Sequence, residues 1–183
     1  MAYEQDDSIP KKRIGAQKLI LDLLKERAET GRLYIMNIDH CNDHSSFKDK
    51  VSMSNLCQEI TLPTDPIQHI DGQGEIALCI LSAINVGKIN NLNEIDELCE
   101  LAVRGLDALI DYQQYPVPAA KASTLNRRSL GIGYIGLAHY LAKNGAKYDS
   151  QKAFDLVHKL TERFQYALLT ASNRMAMEKG PCG

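Results

Sequence analysis

Asn55, Cys57 and Glu59 alternate along Asn55-Leu56-Cys57-Gln58-Glu59. In an extended strand, alternate side chains share a face and stand about 6.5–7 Å apart. The spacing therefore predicts an amide, a thiol and a carboxylate in one row, long enough to span a sugar ring. The thiol can act on a carbon centre, the carboxylate can take a proton, and the amide can hold a hydroxyl. The bland alternative is a polar strand face with an incidental cysteine, and spacing alone leaves both readings open.

Cys79 lies within Glu75-Ile76-Ala77-Leu78-Cys79-Ile80-Leu81, among apolar neighbours. It is either an inert core thiol or a strand thiol that passes electrons by forming a disulfide. Cys99 falls on the apolar face of a strongly periodic helix and is read as core. Cys182, near the C-terminal end, says little. His40-Cys41-Asn42-Asp43-His44 crowds three candidate ligands into one loop. Zinc favours four tetrahedral ligands in matched pairs, and no second pair follows at finger-like spacing. A hydrogen-bonded loop is the preferred reading, and no metal site is expected. Cys57 with His40 or His69 would make a nucleophile and base, but sequence does not bring them together.

Gly131-Ile132-Gly133-Tyr134-Ile135-Gly136 matches a dinucleotide-binding glycine pattern. Arg127-Arg128-Ser129-Leu130 before it is a poor buried strand, and no second strand follows where a ribose-binding acid should sit. The glycines are read instead as close packing of a helix on a sheet. Tyr112, Tyr115, Tyr134, Tyr140 and Tyr148 are read as packing groups with wet hydroxyls.

These groups sit in a chain of 183 residues and 20.4 kDa, 44% apolar and 24% charged, about one domain's worth and able to bury a core. Lys+Arg of 21 against Asp+Glu of 23 leaves a net charge of −2, so bulk electrostatics give no case for nucleic acid. No long apolar run and a polar start, Met1 to Arg13, predict neither a membrane span nor a signal peptide. Cysteines at 41, 57, 79, 99 and 182 are odd in number and contain no CxxC, which fits a reducing cytoplasm better than a disulfide framework.

The positioning elements follow from periodicity. A first helix is expected from Ser8 and Pro10, with an apolar stripe of Leu19, Ile20, Leu23 and Leu24 and a stop at Gly31. Leu33 to Ile38 reads as a buried strand, Asp39 to Lys50 as a loop, and Val51 to Leu62 as short and extended. Thr64 to Gly74 reads as a loop and Glu75 to Ile89 as a buried strand. Asn93 opens a helix carrying Ile95, Leu98, Cys99, Ala102, Leu106, Leu109 and Ile110, ended by Pro116 and Pro118. A loop runs to Arg128 and leads to the glycines, a helix runs on to about Asn144, and a last helix runs from Asp149 or Ser150 to Gly180-Pro181. Few strands among long helices suggest an α/β fold that is a piece of a larger barrel or sheet.

Ser54-Asn55-Leu56-Cys57-Gln58-Glu59-Ile60 and Glu75 to Asn91 (EIALCILSAINVGKINN) together resemble the large (alpha) subunit of class I ribonucleotide reductase. Gly31 to Ile35, Asn37 to Asn42, Tyr115 to Lys121 and Arg127 to Gly133 fit the same family in order. The resemblance covers nearly all of residues 1–183 and implies part of a ten-stranded α/β barrel enclosing a finger loop. It implies reduction of ribonucleoside diphosphates to deoxyribonucleotides. Cys57 matches the cysteine that becomes a thiyl radical and takes the 3′ hydrogen. Glu59 matches the carboxylate that accepts the 3′-hydroxyl proton, and Asn55 the amide that holds substrate hydroxyls. Leu56 and Gln58 share that substrate-binding stretch, with Leu56 and Ile60 as dry backing. Cys79 matches one member of the reducing cysteine pair.

The resemblance also implies what must come from elsewhere. The radical comes from a metallocofactor in the small (beta) subunit, and thioredoxin or glutaredoxin is the external reductant. No cofactor is bound by this chain itself. The partner of Cys79 and the allosteric parts are expected before Met1. The phosphate-binding loop, a radical-relaying tyrosine pair and the re-reducing cysteines are expected after Gly183. The chain is thus expected to be a fragment, a split-gene product or a truncated sequence, inactive alone, complemented by the remainder of an alpha subunit that is a homodimer when complete. Two other classes stay open: a non-catalytic interaction module, and a zinc or thiol hydrolase around His40, Cys41 and His44.

Overall fold

Helix α1 (Ala16–Thr30) stops at Gly31, whose φ of 65° lies in the left-handed region that glycine adopts without steric cost. The computed structural model describes residues 5–67, 69 and 74–183. They divide into two units, the first ending at Thr61 and the second running from Leu62 to Gly183.

In the first unit α1 begins at Ala16 rather than near Ser8, because Ser8 is taken by a local turn. Its N–H and hydroxyl both donate to Asp6 Oδ1, at 2.9 and 2.6 Å. The expected apolar stripe is present but uncovered: α1 has no buried residue, and Ile20 and Leu24 are 54% and 51% exposed. The strand expected at 33–38 does not form. Residues 32–37 are irregular, with no partner strand among the described residues to satisfy their backbone groups. The segment then enters a short helix α2 (Ile38–Asp43), where a loop was expected.

The second unit carries the core. Strand β1 (Ile80–Asn85) is followed by a 3₁₀ turn (Val86–Lys88), helix α3 (Glu94–Tyr112), helix α4 (Pro118–Arg127), strand β2 (Leu130–Ile135), helix α5 (Leu137–Lys143) and helix α6 (Gln151–Lys179). β1 pairs in parallel with β2, Ile80 opposite Leu130 through Asn85 opposite Ile135. A parallel pair needs a crossover, and α3 with α4 supplies it. The long strand expected over 75–89 shrinks to six residues, since only that stretch meets a partner. The loop expected before Arg128 is helix α4: Pro118 in its first turn is preorganised for helix rather than breaking one. The glycine stretch is strand β2, and the helix expected after it runs from Leu137 to Lys143. Among the described residues the sheet has two strands, so the larger barrel is not seen in this chain alone.

The two clearest helices lie where periodicity put them. Acidic Glu94, Asp96 and Glu97 favour the positive N-terminal end of α3, and Glu94 reaches back to the Asn91 N–H at 3.0 Å. Ser150 caps α6 through the Ala153 N–H. Their facing stripes bury Ile95, Cys99, Leu160, Phe164 and Ala167 with Val86 and Leu141 in one cluster, and Val103, Ala171 and Met175 in another. Leu98 and Leu109, expected in the core, are only partly buried or exposed, at the margin of the stripe. Truncating Ile95 or Leu160 should cost about 2–5 kcal/mol. Arg104 of α3 makes two parallel 2.7 Å bonds to Glu178 of α6, reinforcing the contact at its edge. No described helix is long and apolar enough to cross a membrane.

Candidate active site

The motif residues of the first unit lie in a tight turn rather than an extended row. The Asn55 N–H donates to the Ile60 carbonyl at 3.3 Å, and the Gln58 N–H donates to the Asn55 carbonyl at 3.1 Å. The Asn55 side chain closes the turn, its Oδ1 accepting from the Ile60 N–H at 3.0 Å. Gln58 takes a φ of 63°, which reverses the chain and ends the alternation on which a shared strand face depends. The expected row is corrected accordingly. Asn55, Cys57 and Glu59 stay local to one turn, exposed, with Gln58 half-buried between them. The backing expected from Leu56 is absent in this chain, since Leu56 is 88% exposed.

The approach to this turn is fixed by a residue that sequence reasoning passed over. Asn42, at the end of α2, donates from Nδ2 to the Val51 carbonyl and accepts the Val51 N–H on Oδ1, each at 2.9 Å. One amide thus replaces a strand partner for Val51, which is 2% exposed. The His40–His44 stretch is therefore a helical scaffold built on Asn42 rather than a loop. Among the described residues no group of three His, Cys, Asp or Glu is arranged to hold a metal. His69 lies outside the turn's unit.

In the second unit Cys79 is half-buried immediately before β1. Helix α4 clamps the segment leading to it. The Ile76 N–H donates to the Ala119 carbonyl in the first turn of α4, at 3.3 Å. Arg127 at its last turn holds the Glu75 carboxylate through Nε at 3.0 Å and Nη2 at 2.8 Å. Both partners are largely buried, with side chains 16% and 11% exposed, so each needs the other. Beyond Cys79, the Ile80 N–H meets the Ser129 carbonyl and starts the parallel ladder. The segment is therefore held at both ends.

Arg128, the residue after α4, has a φ of 46° and sends its guanidinium to Asp107 at 2.6 Å and Asp111 at 2.9 Å. Lys179 reaches the other Asp107 oxygen at 2.7 Å. Burial raises the Asp107 pKa, but the Arg128 and Lys179 bonds outweigh it and hold the carboxyl below its ordinary range. Cys99 is fully buried, and desolvation, aided by Asp96, pushes its pKa up to about 11. It is a neutral core thiol, as its place in the helix stripe implied. Tyr140 is buried, and burial raises its pKa. Tyr134 stacks edge-on against Phe164 at 5.5 Å, and the Tyr115 hydroxyl donates to the Ile110 carbonyl at 2.7 Å. Tyr112 and Tyr148 are 85% and 69% exposed, so packing accounts for some of the tyrosines but not for these.

The glycines at 131 and 133 sit inside β2, opposite Leu81 and Ala83, so their place is beside a neighbouring strand rather than under a helix. That position does not suit a phosphate-binding turn, which follows the end of a strand.

Comparison with known proteins agrees with the family resemblance seen in the sequence. The family model described as ribonucleotide reductase, barrel domain, matches residues 1–183. The chain is 58% identical to the ribonucleoside-diphosphate reductase subunit alpha of Haemophilus influenzae, over 98% of this chain and 24% of that protein. It is 55% identical to ribonucleoside-diphosphate reductase 1 subunit alpha of Escherichia coli over the same shares, 98% and 24%. The subunit alpha of bacteriophage T4 is 44% identical, again over 98% and 24%. The chain thus spans about a quarter (24%) of the length of these curated relatives. On the family match over its whole length, the chain belongs to the ribonucleotide reductase barrel-domain family.

Proposed function

We propose that residues 1–183 act as a segment of the catalytic α/β barrel of a ribonucleoside-diphosphate reductase alpha subunit, and that they supply its radical cysteine and one redox cysteine. The observation that carries this reading is the Asn55–Ile60 turn. A hydrogen-bonded reversal presents Cys57 on its exposed side, with Asn55 and Glu59 in the same turn. Such a turn suits the tip of a finger loop inside a ten-stranded barrel, the remaining strands being contributed by the rest of the subunit.

In this reading the Cys57 thiyl takes the 3′ hydrogen of the ribose. Glu59 accepts the 3′-hydroxyl proton, which stabilises the sugar radical. Asn55 spends its Oδ1 on the turn, which orients its Nδ2 end as the donor to a substrate hydroxyl. The 2′-hydroxyl leaves as water, and after the reduction the Cys57 thiol returns a hydrogen to C3′, which restores the thiyl. Cys79 and a second cysteine thiol together give up two electrons and two protons and close a disulfide, which thioredoxin or glutaredoxin reopens. The radical originates in a metallocofactor of the beta subunit. Enclosure by the rest of the barrel keeps water from the radical, and the exposed Leu56 and the α1 stripe are surfaces for that remainder to cover. A homodimer of complete alpha subunits in the cytoplasm completes the assembly.

The test is turnover of a ribonucleoside diphosphate with the beta subunit and a dithiol. The purified chain alone should give none, and an alpha subunit carrying this segment should turn over. Cys57→Ser should abolish turnover and leave substrate binding intact. Substantial reduction by that variant, or turnover by the chain unaided, would overturn the assignment.

A further inference from the structure

We propose that Gly131 is a positioning residue for the Cys79 thiol: the side chain it lacks leaves the space that the sulfur uses. This rests on the reading of Cys79 as a redox thiol given above. A Cβ built on Gly131 would stand 3.1 Å from Cys79 Sγ and 2.5 Å from Leu81 Cδ2. Both are closer than the about 3.5–4.0 Å of an ordinary heavy-atom contact.

Backbone conformation does not explain this glycine. Gly131 is absent from the positive-φ positions, and it sits in the interior of β2, paired with Leu81 of β1. Glycine inside a strand costs about 0.5–1 kcal/mol relative to alanine. Close approach of the neighbouring strand's groups is what the position requires. Gly133, also in β2, supplies the contrast, because a Cβ there would meet nothing within 4 Å. Of these two strand glycines, the one where a methyl would crowd its neighbours is the one beside the thiol.

The consequence for chemistry is one of aim. Cys79 must bring its sulfur onto a second cysteine sulfur as the S–S bond forms. The two thiols surrender two protons and two electrons, the ribose C2′–O bond breaks with loss of water, and a C2′–H bond replaces it. The Glu75–Arg127 pair and the Ile80 ladder bond fix the backbone on either side of Cys79, and the thiol donates to the Ile80 carbonyl at 3.8 Å, so a displaced sulfur is read against a fixed backbone. With a methyl at 131 the sulfur has to give by a few tenths of an ångström. Misplacement of a reacting atom by about 1 Å can cost about 100-fold in rate, so a shift of that smaller size costs about 3–5-fold.

The experiment uses an alpha subunit carrying this segment, assembled with its beta subunit, in a Leu81→Ala background. That background removes the Leu81 side-chain contact, so a methyl at 131 meets the sulfur. Leu81→Ala/Gly131→Ala is compared with Leu81→Ala/Gly133→Ala. The readouts are the alkylation rate of reduced Cys79 by iodoacetamide, steady-state kcat and KM with a dithiol, and release of the substrate's 3′ hydrogen. The Gly131 variant should change the alkylation rate and lower kcat about 3–5-fold, with KM and 3′-hydrogen release unchanged. The Gly133 variant should match its background. Equal behaviour of the two variants would overturn the proposal. An altered alkylation rate with full kcat would also overturn it; Cys79→Ser then separates the causes, since its turnover survives only where the redox reading of Cys79 is itself wrong. Should the Gly131 variant not fold, Cys79→Ala is added. Recovery of folding supports a conflict with the sulfur, and continued failure overturns it.

Discussion

Residues 55–60 and residues 75–79 each deliver a thiol, and they are held in different ways. The first is a turn closed by three hydrogen bonds among Asn55, Gln58 and Ile60, with Cys57 exposed. The second is a segment fixed by a largely buried ion pair, a helix carbonyl and a parallel ladder, with Cys79 half-buried beside a glycine. The difference matches what each thiol is proposed to do. A radical cysteine has to project into a cavity that other parts of the subunit enclose, so its own segment need only form a stiff tip. A redox cysteine has to meet another sulfur at bonding distance, so its own segment has to fix its position.

Breaking the second region should have the largest effect on stability. Arg127→Met leaves the Glu75 carboxylate buried without its guanidinium, a loss of about 3–5 kcal/mol. Urea unfolding should show the loss, and hydrogen exchange should show the opening spread over 75–80. A loss under about 1 kcal/mol would mean that the pair is as weak as a surface bridge. In the first region Asn42→Ala removes two bonds to Val51 and should cost about 1–3 kcal/mol, because the Val51 groups lose their partner. Exchange should rise at Val51 and leave 75–80 protected. A uniform rise in both regions would erase the distinction between them.

Acid should discriminate further. The Asp107 carboxyl is held below its unfolded value, near about 3.9, by Arg128 and Lys179. Its stabilisation is therefore complete above that unfolded value and disappears as pH falls through the lower folded one. Asp107→Asn should lower stability at neutral pH and flatten its fall in acid, read by urea unfolding between about pH 2 and pH 7. An unchanged acid limb would remove Asp107 from the account. Gln58→Gly is the smallest change, relieving a left-handed residue at a gain of about 1 kcal/mol. Thiol labelling of the native chain should run parallel to burial: Cys57 labels readily, whereas Cys99, at 0% exposure, stays unlabelled until the chain unfolds.

How much of this the sequence disclosed depended on the range of the interaction. Helices α3 and α6 were legible because their stripes repeat within a few turns, and Cys99 was assigned to the core by its place in that repeat. The motif residues were legible by type, yet their geometry was not. Alternation at 55, 57 and 59 looks like a strand, and what cancels it is the turn closed by the Asn55 side chain and the φ of Gln58. The strand expected at 33–38 has suitable residues but no partner among the described ones, and pairing is not written in one strand. Helix α4 was missed because Pro118 was weighed as a breaker instead of a first-turn residue. Asn42 and Gly131 act through contacts with Val51 and Cys79, and neither has a local signature.

The most direct measurement is release of the 3′ hydrogen from isotopically labelled ribonucleoside diphosphate by Cys57→Ser and Cys79→Ser forms of an alpha subunit carrying this segment, assembled with its beta subunit. The expected result is no release from the first and retained release, without sustained deoxyribonucleotide production, from the second. Release that survives loss of the Cys57 thiol would contradict the assignment of Cys57 as the radical site.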